Sequence, residues 1–195
     1  MYIESNILFI FGIPLWVLIW IIINIVRYRK RKPLSIKREL LLSVFYYYIL
    51  CVLGVTLFPL ILFWDDIYGS YVSVNVLPVY TTVKDIIYTC SNSRISDFMV
   101  RVWIRNILGN LILLFPLGIL LPLLWDKFRN IRTATVFGFF TSLSIEVIQL
   151  LSMLIGNRGR AFDIDDIILN TAGAFLGALL LNRIMRIRKH KRVHD

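Results

Sequence analysis

Long apolar runs dominate this chain, and the polar breaks between them set its organisation. Five runs are long enough to cross a bilayer as helices, which takes about 20 apolar residues each. They cover residues 7–26, 40–62, 103–125, 133–155 and 166–184. The pattern predicts an all-α, polytopic helical bundle in a membrane. The first run is preceded only by Glu4 and followed by basic residues, the reverse of a cleaved signal, so it reads as a retained helix. Trp103 and Trp125 anchor the ends of the third run at the two interfaces. Pro116 predicts a kink inside it, and Pro59 falls near the outer end of the second. Residues 1–38 are then a first helix and basic loop, 39–184 the main membrane domain with an outer loop at 63–100, and 185–195 a basic tail.

Composition agrees with the pattern. The chain is 58% hydrophobic over 195 residues, with mean hydropathy +0.74, above the roughly half-apolar composition of soluble domains. Its net charge of +10 raises nucleic acid as a partner, but the distribution excludes it. The cations sit in short clusters beside apolar runs, and no polar segment is long enough to fold into a basic face. Seven, three and six of the 22 Lys and Arg fall in three alternate connections. Those connections are therefore cytoplasmic, with the amino terminus outside and the carboxyl terminus inside. The tail cluster, Arg183 to Arg192, is placed to touch anionic lipids. Cys51 and Cys90 read as unpaired thiols at different depths. Both histidines, His190 and His194, lie in the tail, which removes an intramembrane HExxH zinc site.

Polar side chains inside the last three runs carry the candidate chemistry. Asn106 and Asn110 lie one turn apart, Glu146 and Gln149 are three apart, and Asp163, Asp166 and Asn170 step along one face. Counted from the outer ends at 1.5 Å per residue, Asn106, Asn110, Gln149, Glu146 and Asn170 lie roughly 5–14 Å deep with Asp166 and Asp163 above Asn170, all in the outer half of the bilayer. Asp166, Asn170, Gly173 and Gly177 share one helix face, so a GxxxG contact seam lies directly below the acid. Asp163 and Asp166 also read as a helix N-cap with its partner three residues on, and the asparagines as interhelical hydrogen-bond donors. Glu146 resists a structural reading, because an unpaired charge at that depth costs roughly 3 kcal/mol.

Together these motifs resemble the VanZ-like family of membrane proteins. The matching residues are Asn75 with Pro78; Arg105, Asn106, Asn110, Phe115, Pro116 and Gly118; Glu146 and Gln149; then Arg160, Asp163, Asp166, Asn170 and Gly173. The resemblance spans about residues 75–177. It implies a multi-pass protein of the cell membrane, associated in Gram-positive bacteria with antibiotic resistance, namely reduced susceptibility to teicoplanin and other glycopeptides bearing a lipid tail.

Two functions from different classes fit these residues. In the first, the protein is not an enzyme. Its outer-facing pocket binds an envelope ligand, or it alters the cell surface. Arg101, Arg105, Arg158 and Arg160 would hold an anionic group of a lipid-linked cell-wall precursor, a teichoic acid or a lipoglycopeptide. Asn106, Asn110, Gln149 and Asn170 would line the pocket. In the second, Glu146 is a general acid or base, and Asp163 and Asp166 hold a divalent metal against a substrate phosphate. No GxSxG, phosphate loop or other full catalytic signature is present, which ranks the first reading ahead.

Overall fold

The computed structural model describes residues 2–30, 35–61, 74–77, 83–84, 87, 97–154 and 162–194. Five helical segments in it have the length and apolar character of membrane spans. The chain divides into two compact units, Met1–Ile67 and Tyr68–Asp195.

The first unit is a helical hairpin. Helix α1 (Asn6–Arg29) and helix α2 (Ile36–Leu57) are bracketed by a short antiparallel pair of strands, β1 (Tyr2–Ile3) with β2 (Leu60–Ile61). Helix α2 stops at Leu57, short of the expected residue 62. Pro59 pushes Phe58 into an extended conformation (φ −104°, ψ 153°) and ends the helix there. The helices meet where α1 is thinnest: a Cβ at Gly12 would lie 2.7 Å from Leu50 Cδ1. The Tyr46 hydroxyl donates to the Gly12 carbonyl (2.9 Å) and stacks on Trp16, with ring centroids 4.6 Å apart. Trp16 Nε1 donates to Ser43 Oγ (3.2 Å). Tyr46 is thus a packing residue. At the other end of the hairpin, the buried Glu39 is ion-paired with Arg27. An acid in an apolar setting needs such a partner.

The second unit holds the remaining spans. Helix α3 (Asp97–Leu113) and helix α4 (Phe115–Leu124) together form the third span, broken at Leu114. Pro116 is the second residue of α4, where its missing N–H costs nothing, so the expected kink becomes a fresh helix start. A 3-10 turn (Asp126–Arg129) leads to helix α5 (Ile131–Leu154). Strand β4 (Phe162–Asp163) runs directly into helix α6 (Ile164–His194) and pairs in parallel with β3 (Val74–Asn75). At 31 residues α6 is roughly 46 Å long, longer than the ~30 Å hydrocarbon core. It therefore continues as helix through the basic tail instead of ending near residue 184.

Helix α6 is the centre of this unit and packs against α3, α4 and α5. Its small residues allow the approach. A Cβ on Gly173 would strike the Leu111 carbonyl oxygen, one on Gly177 the Phe115 carbonyl oxygen, and one on Gly118 the Ala174 carbonyl oxygen. The backbones of α6 and of α3–α4 therefore touch directly, as the GxxxG spacing predicts. Leu114, Leu117, Leu121, Ala134, Ala174 and Ala178 complete the dry interior. Phe140, Ile148, Leu151 and Leu180 face outward, where a bilayer would solvate them.

A polar cluster at the start of the last helix

The cluster forms around the amino-terminal end of α6. Asp163 is the residue before its first turn, and its Oδ1 accepts the Asp165 N–H at 2.9 Å. That is an N-cap, which supplies an acceptor for one of the four donors a helix start leaves unpaired. The companion bond of a capping box, from the third helical residue back to the cap N–H, comes from elsewhere. The Asp163 N–H donates to Glu146 Oε2 of α5 at 3.1 Å. Glu146 thus replaces Asp166 in that role and closes the cap across two helices.

Asp166 is released for a different contact. The Asn110 amide of α3 donates to Asp166 Oδ1. One turn further along α6, the Asn170 amide donates to Ser142 Oγ of α5 at 3.0 Å. The strand β3 adds a fourth element: Asn75 lies opposite Asp163 in the parallel ladder, and its amide donates to Asp163 Oδ1 at 2.9 Å. Three helices and one strand therefore converge on a single helix start. Glu146 and Asn170 are each 1% exposed, and Ser142 is fully buried.

Electrostatics follow from this enclosure. Burial pushes the Asp163 carboxyl above the usual carboxylate range, the Asp165 N–H bond opposes that rise, the Asp165 charge adds to it, and the Asn75 amide opposes it. The four cross-element hydrogen bonds described above take their donors from one backbone N–H and three neutral amides.

The sequence-predicted residues divide three ways. Asn110, Glu146, Asp163, Asp166 and Asn170 meet in the cluster, and Gln149 is buried one turn along α5 from Glu146. Arg101, Arg105 and Asn106 lie exposed on the first turns of α3 and are not drawn into it. Arg158, Arg160 and Pro78 fall outside the described residues. Asn75 was read as part of a family motif but not as a pocket residue, and Ser142 was not singled out. Neither carries a periodic signal: Asn75 is 88 positions from its partner, and a serine within a helix usually bonds its own backbone. Ser144 and Ser152 do so, to the carbonyls of Phe140 and Gln149.

Asp163 and Asp166 are the pair that the sequence offered as holding a divalent metal. Asp163 Oδ1 already accepts two hydrogen bonds. Among the described residues, no three His, Cys, Asp or Glu side chains gather as ligands.

The family model described as VanZ/LLP1 matches residues 45–186, which takes in α3 to α5, α6 as far as Arg186 and every residue of the cluster. No curated protein and no solved structure matches the chain.

Proposed function

The chain belongs to the VanZ/LLP1 family, and from that membership and the polar cluster we propose an envelope-binding role. It is a VanZ-like membrane protein with five spans. In our reading it resides in the bacterial cell membrane and lowers susceptibility to teicoplanin and related lipoglycopeptides. It does so by binding an envelope ligand in an outward-facing polar pocket, or by altering the surface to which the antibiotic binds.

The observation that carries this reading is the convergence of Asn75, Asn110, Glu146, Asp163 and Asp166 on one helix start. Glu146 and Asp163 there hold the helix cap, a positioning duty that favours a binding site over a catalytic one. Arg101 and Arg105, one turn apart and exposed on α3, form an i,i+4 pair suited to an anionic headgroup such as a lipid-linked phosphate.

The test is a susceptibility series in a Gram-positive host with no relative of this protein, at matched membrane levels. Wild type should protect against teicoplanin more than vancomycin. Glu146→Gln, which keeps an acceptor for the Asp163 N–H, should retain protection, and an Arg101/Arg105 double alanine variant should lose it. Protection abolished by Glu146→Gln alone would replace this reading with a membrane-embedded enzyme using Glu146 as acid or base. Absence of protection by wild type would sink the resistance role.

The pocket faces outward only if the amino terminus is outside and the carboxyl terminus inside. The distribution of Lys and Arg supports that orientation. In a Cys51→Ala, Cys90→Ala background, a membrane-impermeant maleimide should label a cysteine at Ser5 in intact cells, and one at His194 only after permeabilisation. The reverse labelling would place the pocket on the cytoplasmic side.

A further inference from the structure

One turn below the Asn110–Asp166 contact, the described residues offer the cluster no further donor. The Asn170 amide nitrogen is used on Ser142, and the Asn170 Oδ1 is fully buried with no hydrogen-bond partner among the described residues. Leaving a buried acceptor empty is unfavourable, so a donor or a cation belongs beside it. Asp166 lies one turn away on the same helix face and adds negative charge. Its hydrogen bond comes from the neutral Asn110 amide, and among the described residues no Lys, Arg or His forms an ion pair with it. A carboxylate inside a span calls for a compensating positive charge. The next turn down is closed, because Gly173 lies against the Leu111 backbone and Leu114 is 1% exposed. The acceptors therefore sit at the blind end of the polar cluster.

We propose that a monovalent hard cation of the sodium class binds between Asp166 and Asn170, held by the Asp166 carboxylate, Asn170 Oδ1 and Ser142 Oγ. One carboxylate with neutral oxygens matches a single positive charge, whereas divalent cations draw on more anionic oxygen ligands. The site would neutralise Asp166 above the Gly173–Gly177 seam, and so couple the cation to the assembly of α3, α5 and α6. It stands apart from the identity of any envelope ligand, which would meet the outer rim of the cluster.

The full chain, purified in detergent, tests this by thermal unfolding at constant ionic strength as NaCl replaces choline chloride. The Tm of wild type should rise saturably with Na+, and less with K+. The rise should vanish in Asp166→Asn and shrink in Asn170→Ala. No Na+-specific rise in wild type would assign an ordered water to Asn170 and overturn the proposal. So would a rise that persists undiminished in Asp166→Asn, or a Tm that responds to acid but not to Na+, which would place a proton on Asp166. Should the variants not fold, wild type alone decides by 23Na resonance: broadening beyond that of empty detergent micelles is expected, and its absence overturns the site.

Discussion

Gly173→Ala is expected to destabilise the second unit by at least about 3 kcal/mol, the upper end of overpacking penalties. The new methyl would strike the Leu111 carbonyl oxygen, and would stand 3.0 Å from the Leu111 carbonyl carbon and 3.4 Å from the Phe115 nitrogen. These are backbone atoms of a neighbouring helix, which cannot rotate aside as a leucine tip can. Relief would require α6 to withdraw from α3–α4, which would also open the Gly177 and Gly118 contacts on the same seam. Gly109→Ala is the matched control. It lies on α3 with nothing within 4 Å of its Cβ position, and the gain in helix propensity is worth up to about 1 kcal/mol. Unfolding of the two variants in detergent decides the point. Equal stability of Gly173→Ala and wild type would mean that the seam is not close-packed.

That seam was legible in the sequence because its cause is local. A helix repeats every 3.6 residues, so Asp166, Asn170, Gly173 and Gly177 had to share a face whatever the tertiary structure. The bilayer likewise imposes a length, which made the five spans readable as five apolar runs. The identity of the partner was not legible, since GxxxG says only that some backbone comes close. The helix ends moved for equally local reasons. Pro59 ended α2 early, and Pro116 opened a new helix at Phe115 instead of bending an old one.

The cluster was only half legible. The acids and amides of α3, α5 and α6 stand out because polar groups in a span are costly and must be placed for a reason. The hydrogen bonds between them depend on which turn faces which, and a pattern along one strand of sequence does not encode that. Asn106 shows the limit: it shares the spacing of Asn110, yet lies nearer the start of α3 and remains exposed. Asn75 shows the opposite case. Its two-residue strand has no periodicity to detect, yet it reaches the cap residue itself. Glu39 and Arg27 were hidden differently, since one acid beside seven cations reads as charge balance until the hairpin brings the pair together.

Glu146→Ala should cost about 3–4 kcal/mol, while Glu146→Gln should cost much less. Removing the side chain leaves a cavity at a site that is 1% exposed, and large-to-small changes in such places cost about 2–5 kcal/mol. It also strips the half-buried Asp163 N–H of its acceptor, and a donor left unpaired away from water adds about 1–3 kcal/mol, the lower end applying to a half-buried one. Taking the lower part of both ranges allows for partial collapse of the cavity. Glutamine fills the same volume, and its side-chain oxygen can accept the same N–H. What it lacks is the negative charge that a helix amino terminus favours, worth about 0.3–1 kcal/mol near a surface. The separation between the two variants matters more than either value. If Glu146 serves as a cap across two helices, stability follows the acceptor and not the charge, so alanine is the damaging change. Denaturant unfolding of both proteins in the same detergent provides the comparison. Alanine and glutamine variants of equal stability would remove the capping role and leave Glu146 free for chemistry. A stable glutamine variant that has lost protection in the susceptibility series would point to the same conclusion from the functional side. Only a protein that tolerates glutamine in both measurements, and alanine in neither, holds Glu146 as the link that ties α5 to the start of α6.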